Sequence, residues 1–167
     1  MNITLRIWKQ EDAHLLTHYF NNINIWNNLR DSIPNPYSFS DAEDFISKQN
    51  NLFPIQNFAI ENNNELVGGV GMILLEDIYK MNVELGYWIA EPFWGQGFAT
   101  EAIRQMTYFI FENYAINRIV AEVFENNKPS MRALEKNAYH LEAVKRKGIL
   151  KNDKLLDSYI WVIQKVY

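Results

Sequence analysis

The turn Trp94–Glu101, with the sequence Trp-Gly-Gln-Gly-Phe-Ala-Thr-Glu, is the segment most suited to chemistry. It follows an alternating run that predicts a strand from Asn82 to Ala90, and it precedes a helical pattern from about Ala99 to Asn113. The first amides of a helix lack partners and lie at the positive end of the helix dipole, so such a junction can hold an anion such as pyrophosphate. Gly95 and Gly97 would let the backbone approach that ligand closely.

The turn alone leaves its function open. No Lys-Ser/Thr pair follows Gly97, so the turn is not a P-loop. The third glycine of a dinucleotide-binding turn is missing, and the segment follows the fourth predicted strand rather than the first. A tight loop without any ligand is an equally open interpretation. Downstream, Asn127 is predicted to cap a helix that has Pro129 in its first turn, where the missing N–H does no harm.

The elements that must position these residues are predicted from periodicity and caps. In the strand 82–90, side chains alternate between two faces, with Val83, Leu85, Tyr87 and Ile89 on one and Glu84, Gly86, Trp88 and Ala90 on the other. Ser40-Asp41-Ala42-Glu43 has the form of a capping box that opens a helix from Asp41 to about Asn50. The other predicted elements are a strand 3–8, a helix 12–20, a short helix or loop 21–37, a hairpin 58–60 and 66–74, and strands 118–123, 139–146 and 155–166.

The order β-α-α-β-β-β-α-β-α-β-β predicts an α/β fold with a mixed sheet and flanking helices. The 167 residues suit a single domain, residues 1–167. The net charge of −4 argues against a nucleic-acid partner, and the absence of cysteine excludes disulfides, thiolate metal sites and a cysteine nucleophile. Three histidines form no metal-binding pattern, so we expect no metal. No apolar run has membrane-spanning length and no signal peptide is evident, so we expect a cytoplasmic protein without membrane association.

Two motifs together resemble the GNAT superfamily of N-acetyltransferases. Motif A of that superfamily is Gln/Arg-x-x-Gly-x-Gly/Ala, and Trp94, Gly97 and Ala99 fill its first, fourth and sixth positions. Trp94 departs from the consensus, but the longer string 86–102 is similar to the Rim-type branch, which acetylates the N-termini of ribosomal proteins. The string 127–136, Asn-Lys-Pro-Ser-Met-Arg-Ala-Leu-Glu-Lys, is similar to that branch's Asn-x-x-Ser-x-x-x-Leu-Glu-Lys. With the matching element order, the resemblance covers essentially the whole chain.

The resemblance implies a mostly antiparallel central sheet with a splayed fourth strand and about four helices. It also implies acetyl-CoA, or coenzyme A, as co-substrate. The pantetheine would pair with the backbone of the splayed strand, and the pyrophosphate would lie on the amides of the glycine turn. Asn127 would contact pantetheine as well as cap its helix. The implied coenzyme A residues are Trp88, Ile89, Ala90, Trp94, Gly95, Gln96, Gly97, Phe98, Ala99, Thr100, Asn127 and Ser130.

The chemistry that the resemblance implies is direct attack of an amine on the thioester. Such a reaction needs a base for the ammonium, stabilisation of the oxyanion and a donor for the thiolate. Glu84 is the candidate base, and an ion-paired or solvated carboxylate is the alternative. Many relatives place a tyrosine acid where this chain has Leu134. Ser130 is then the candidate donor to the sulfur, and a helix-cap hydroxyl is the alternative; Glu101 is explained by the helix dipole alone.

The end of the helix that carries Ser130 departs from the family pattern. Relatives have a left-handed glycine before an aromatic residue, whereas this chain has Asn137-Ala138-Tyr139. Alanine is unfavourable in that conformation by about 1 kcal/mol or more, and asparagine tolerates it better. We therefore expect a shifted cap there, without consequence for the chemistry.

The resemblance places the acceptor between the segment 26–37 and the last hairpin. Plausible lining residues are Trp26, Arg30, Asp31, Tyr37 and Asp157, although a turn or strand-edge role also explains Asp157. A protein N-terminal α-amine is the first acceptor that the branch suggests. A polyamine or other small amine is the second, and it requires Asp31, Glu84 and Asp157 to form an acidic pocket. A non-catalytic acyl-CoA sensor is the alternative of another class, and the family suggests a homodimer.

Overall fold

The computed structural model describes residues 2–165, so the predicted end of the last strand at Val166 lies outside the described residues. One seven-stranded sheet has the order β1-β2-β3-β4-β5-β7-β6. The strands are β1 Thr4–Arg6, β2 Asn57–Asn62, β3 Glu65–Leu74, β4 Asn82–Ile89, β5 Arg118–Phe124, β6 His140–Lys151 and β7 Lys154–Gln164. The helices are α1 Asp12–Phe20, α2 Ile23–Trp26, α3 Phe39–Asn50, α4 Phe98–Asn113 and α5 Lys128–Glu135. The predicted mixed, mostly antiparallel α/β architecture is confirmed, with one more helix than expected.

The sheet opens between β4 and β5, which form its single parallel pair within residues 2–165. Their pairing begins at Asn82 and ends where Glu84 lies opposite Val120. β4 continues to Ile89 and β5 to Phe124 without further pairing to each other, although each stays bonded to its other neighbour. The two strands therefore diverge beyond Glu84 and leave a gap in the middle of the sheet, as the splayed fourth strand predicted.

Successive strand residues point to opposite faces of the sheet, and a hydrophobic core lies on each face beneath its helices. Ala59 and Leu66 belong to one cluster with α1 and α3, whereas the adjacent Ile60 and Val67 belong to the other. The second cluster contains the buried stripe of α4, which is Phe98, Ala102, Ile103, Met106 and Ile110. Each fully buried aliphatic side chain stabilises the fold by about 1.5–3 kcal/mol. The stripe therefore fixes α4 on the sheet and aims its N-terminus at the gap.

The capping box of α3 begins two residues earlier than predicted. Ser38, not Ser40, is the N-cap: its hydroxyl accepts from the amide of Asp41 at 3.1 Å. The Asp41 carboxylate in turn accepts from the Ser38 amide at 2.8 Å. Aspartate at the third helical position thus takes the role that we assigned to Glu43, and Ser40 lies inside the first turn.

The end of α5 also differs from expectation, because Ala138 itself adopts the left-handed conformation with φ of 62°. The Tyr139 amide donates to Leu134 O at 3.2 Å, which closes the helix in the manner of a glycine-ended one. The Asn137 side chain donates to Thr100 O at 3.0 Å and to Ala133 O at 2.8 Å. Because these bonds fix Asn137, the cap does not shift, and the strain falls on Ala138.

Among the described helices, none is long and apolar enough to cross a membrane.

Candidate active site

A cleft of about 690 Å³ lies where β4 and β5 diverge. Its walls are the end of β4, the glycine turn with the first residues of α4, the N-terminal part of α5, and α2 with the loop after it. The lining residues are Asn24, Ile25, Asn28, Leu29, Tyr87, Trp88, Ile89, Phe93, Trp94, Gly95, Gly97, Phe98, Ala99, Thr100, Asn126, Asn127, Pro129, Ser130, Arg132, Ala133 and Lys136. The contribution of α2 was not predicted, because the asparagine-rich segment 21–37 shows no clear periodicity.

The glycine turn needs its glycines for their backbone conformation. Gly95 and Gly97 have φ of 75° and 88°, and a Cβ added at Gly95 would meet no atom within 4 Å. Gly97 is the N-cap of α4 and offers no side chain to cap the helix. The first-turn amides of α4 therefore face the cleft without helical partners, at the positive end of the dipole. The indole of Trp94 donates to Ile89 O at 2.7 Å and braces the turn against β4.

Two basic residues, Arg132 on α5 and Lys136 at its C-cap, add positive charge to the cleft. They lie one helical turn apart at its rim, and both side chains are exposed. Neither forms an ion pair with an acidic residue within the range 2–165. The cleft thus combines free amides with two cations, although the whole chain carries a net charge of −4. Neither residue was recognised from the sequence as part of the site. Their i, i+4 spacing within the second motif was the signal that could have identified them.

Most of the residues that the resemblance assigned to coenzyme A line this cleft, and Ala90 and Gln96 do not. The Ala90 amide donates to Val67 O at 2.9 Å and its carbonyl accepts from the Phe93 amide at 2.9 Å. Both backbone groups of this fully buried residue are therefore engaged, and the prediction that Ala90 pairs with pantetheine is corrected. The Gln96 side chain is exposed and donates to Pro92 O at 3.1 Å.

Glu84 lies at the vertex of the gap, at the last position where β4 pairs with β5. Its carboxylate forms an ion pair with Arg30, which was predicted as a separate acceptor-lining residue. The Glu84 side chain is part-exposed and does not line the cleft. The ion-paired alternative is therefore the state that the structure shows. The ion pair occupies Oε1 of Glu84, so an acceptor amine has to deliver its proton to Oε2 or displace Arg30.

The hydroxyl of Ser130 is not used as a helix cap. The amide of Ser130 donates to Asn127 Oδ1 at 3.2 Å, so Asn127 supplies the cap as predicted. The Ser130 Oγ instead lies 2.7 Å from the hydroxyl of Tyr87, and both residues line the cleft. Burial raises the pKa of Tyr87 well above its ordinary value, which keeps it protonated. From the sequence, Tyr87 shares one face of β4 with Val83, Leu85 and Ile89, and no chemical role was predicted for it.

The predicted acceptor wall is built from contacts between α2 and the β6–β7 hairpin. The ammonium of the buried Lys151 lies 3.3 Å from the centroid of the Trp26 ring and donates to Asp31 Oδ1 at 2.6 Å. The Trp26 indole donates to Ile33 O at 2.9 Å. These contacts bring Trp26 and Asp31 together near the hairpin tip, where they connect the segment 26–37 to the β6–β7 hairpin.

The structure removes Tyr37 from the acceptor wall. Its side chain is only 4% exposed, packs edge-on against Phe20 and donates to Asp41 O at 3.2 Å. Tyr37 therefore stabilises the core between α1 and α3, and the prediction of a lining role is corrected.

Asp157 has a structural task in the last hairpin. Its carboxylate accepts from the Lys147 amide at 2.8 Å and pairs with Arg146 at 2.5 Å, at the irregular part of β6. These bonds, the backbone one first, lower the pKa of Asp157 below its ordinary value. The strand-edge interpretation fits these contacts, because both functions of the carboxylate are internal to the hairpin.

Glu101 is likewise explained without catalysis. It accepts two hydrogen bonds from Arg104, at 2.9 and 2.6 Å, and one from Gln105 at 2.8 Å. The Arg104 bonds, ahead of the Gln105 bond, hold the pKa of Glu101 at about 2. No group of three or more His, Asp or Glu side chains able to hold a metal ion occurs in the described part of the chain.

Comparison with known proteins agrees with this geometry. Residues 2–140 match the family described as Acetyltransferase (GNAT) domain. The SPbeta prophage-derived uncharacterized N-acetyltransferase YokL of Bacillus subtilis is 31% identical over 94% of this chain and 86% of its own length. Among solved structures, Mycobacterium smegmatis RimJ in complex with CoA-disulfide has a TM-score of 0.85 at 19% identity, covering 97% of this chain and 81% of RimJ. Vibrio cholerae spermidine N-acetyltransferase with CoA and spermine has a TM-score of 0.83 at 23% identity, covering 97% and 95%. The two structural likenesses concern the fold alone.

Proposed function

Since the chain belongs to the GNAT acetyltransferase family and takes acetyl-CoA as its acyl donor, we propose that its acceptor is a protein N-terminal α-amine. The observation that carries this proposal is the pairing of the acidic residues on the acceptor side. Glu84 pairs with Arg30, Asp31 with Lys151 and Asp157 with Arg146. A pocket for a polyamine would need unpaired carboxylates to balance several ammonium groups.

The cleft fits acetyl-CoA in its backbone and its charges. We propose that the amides of the turn from Gly95 to Thr100 hold the pyrophosphate, with Arg132 and Lys136 beside it. The diverging strands expose the backbone of β4 to pantetheine. Because backbone groups alternate along a strand and the Ala90 amide points to β3, the amide of Ile89 points to the cleft. Bound there, the thioester supplies an activated acetyl group.

In the reaction, the acceptor nitrogen loses two protons, and both the tetrahedral oxyanion and the departing thiolate need stabilisation. In the proposed mechanism, the incoming ammonium competes with Arg30 for Glu84, which takes its proton directly or through water. The free amine attacks the thioester carbonyl and the C–N bond forms. The nitrogen then loses its second proton to water as the C–S bond breaks, and the electron pair of that bond stays on sulfur. The Ser130 hydroxyl donates a hydrogen bond to the departing thiolate. Holding both reactants between α2, β4 and α5 supplies much of the rate.

An acceptor panel tests the proposal. Free thiol released from acetyl-CoA is measured with short peptides that carry a free N-terminus, with spermidine, and without acceptor. Matched controls are the same peptides already acetylated at the N-terminus. We expect thiol release with the peptides that carry a free N-terminus, and none with spermidine, with the acetylated peptides or without acceptor. Thiol release with spermidine and not with the peptides would contradict the proposal and indicate a polyamine acceptor. Tight coenzyme A binding without thiol release for any amine would indicate a non-catalytic sensor.

A further inference from the structure

Tyr87 on β4 lies next to Ser130, the proposed hydrogen-bond donor to the thiolate, on α5. Its hydroxyl lies 2.7 Å from Ser130 Oγ, where either oxygen could be the donor, and 3.2 Å from Ser130 O, which can only accept. The Tyr87 hydrogen therefore has two candidate acceptors, and Ser130 Oγ is the nearer one. Both residues line the same cleft, and the described hydrogen bonds give the Ser130 hydroxyl no other partner. The tyrosine that many relatives carry on α5 is replaced here by Leu134, which is fully buried.

We propose that Tyr87 is a positioning residue, which donates its hydroxyl hydrogen to Ser130 Oγ and so frees the Ser130 hydrogen to point at the leaving thiolate. This inference rests on the proposed function and names a further residue for it. A serine hydroxyl carries one hydrogen, and its direction is set by what its oxygen accepts. With Tyr87 as donor to that oxygen, the serine hydrogen has the cleft as its remaining direction.

The bonding requirements of the step are modest. The C–S bond breaks and its electron pair stays on sulfur, while the nitrogen loses one proton to Glu84 and the other to water. An ordinary thiol has a pKa of about 8.5, so the thiolate needs a hydrogen bond rather than a full proton from serine. Tyr87 keeps its own proton throughout, in agreement with its burial. The proposed role therefore requires no proton transfer between Tyr87 on β4 and Ser130 on α5.

The packing of Tyr87 makes the arrangement rigid. The residue lies on β4 opposite Val70 of β3, and its ring packs against the core that carries α4 and α5. Asn127 fixes the first turn of α5 from the other end. The oxygen–oxygen distance between Tyr87 and Ser130 is therefore set by a strand and a helix that pack on the same core, and not by a loop.

A double-mutant cycle tests the inference with whichever amine the wild-type protein acetylates. Tyr87→Phe should lower kcat about three- to tenfold, the net effect of one hydrogen bond, with KM for acetyl-CoA unchanged. Ser130→Ala should lower kcat by about a hundredfold. The double variant should be no slower than Ser130→Ala, because Tyr87 acts only through that hydroxyl.

Tyr139→Phe is the matched control. Tyr139 is 3% exposed, whereas Tyr87 is partly buried; the Tyr139 hydroxyl pairs with Thr107 Oγ1 at 2.8 Å, but Tyr139 does not line the cleft. This variant should lose a similar amount of thermal stability and keep its kcat. Unchanged kcat in Tyr87→Phe overturns the inference, and so does a double variant slower than Ser130→Ala. If wild-type protein acetylates no amine at all, the proposed function fails instead.

Discussion

The cations at the rim of the cleft allow a sharp test of where the phosphates bind. Arg132→Gln on α5 and Lys136→Gln at its C-cap each remove one positive charge and keep most of the side-chain length. Both residues are exposed and unpaired in the described chain, so neither change breaks an internal contact. Any effect on binding should therefore report their interaction with the ligand and not a damaged fold.

The expected magnitude follows from the exposure of these two side chains. Two unit charges 4 Å apart interact by about 1 kcal/mol in bulk water and by more near a protein surface, while salt reduces the effect. Each variant should therefore lose about 1 kcal/mol of binding free energy, which is roughly a fivefold rise in Kd. The double variant should lose more than either single variant, up to about 2 kcal/mol or roughly thirtyfold, because residues that share one partner need not act additively.

Calorimetric titration with coenzyme A and with pantetheine separates charge from shape. The Arg132 and Lys136 variants should weaken coenzyme A and leave pantetheine, which has no phosphate, unaffected. The matched control is Lys154→Gln, which removes an exposed charge from the tip of the β6–β7 hairpin, outside the cleft. Equal Kd for coenzyme A in wild type and double variant at low salt would refute the assignment, and so would an equal loss for pantetheine.

Three further variants test separate parts of the structure. Ala138→Gly should raise the thermal midpoint by about 2–3 °C, because relief of the left-handed strain exceeds the entropy lost by glycine; an unchanged or lower midpoint contradicts the strain. Glu84→Gln should lower kcat/KM about a hundredfold below neutral pH, and unchanged turnover across pH would remove Glu84 from the mechanism. The pKa of Glu101 is depressed from 4.5 to about 2, so its stabilisation is present above pH 4.5 and is lost as pH falls toward 2. Urea midpoints of Glu101→Gln and wild type should therefore differ at neutral pH and converge near pH 2, and a constant difference would argue against this contribution.

The part of the site that faces acetyl-CoA could be predicted because its sequence signals are local. The strand 82–89, the two-glycine turn and the stripe of α4 each follow from nearby residues, and they alone place free amides at the end of a strand. Asn127 was recognised as a cap because capping depends on residues within one turn. The same local logic failed by two residues at α3, where Ser38 and Ser40 both precede a carboxylate at a suitable spacing.

Long-range pairings were beyond the sequence. Arg30 and Glu84 are 54 positions apart and Asp31 and Lys151 are 120 apart, so no periodicity links them. No role was predicted for Tyr87 because alternation gives the face of a residue but not the reach of its hydroxyl. Ala138 kept its left-handed conformation because Asn137 is tied to α4, a contact that only the folded chain creates.

A crystal structure of this chain with coenzyme A tests the central claim most directly. The account predicts pantetheine in the gap between β4 and β5 beyond Glu84, with the pyrophosphate within hydrogen-bond distance of amides between Gly95 and Thr100. The sulfur should lie near Ser130 Oγ. Coenzyme A bound outside this gap, or a pyrophosphate without contact to the glycine turn, would contradict the account.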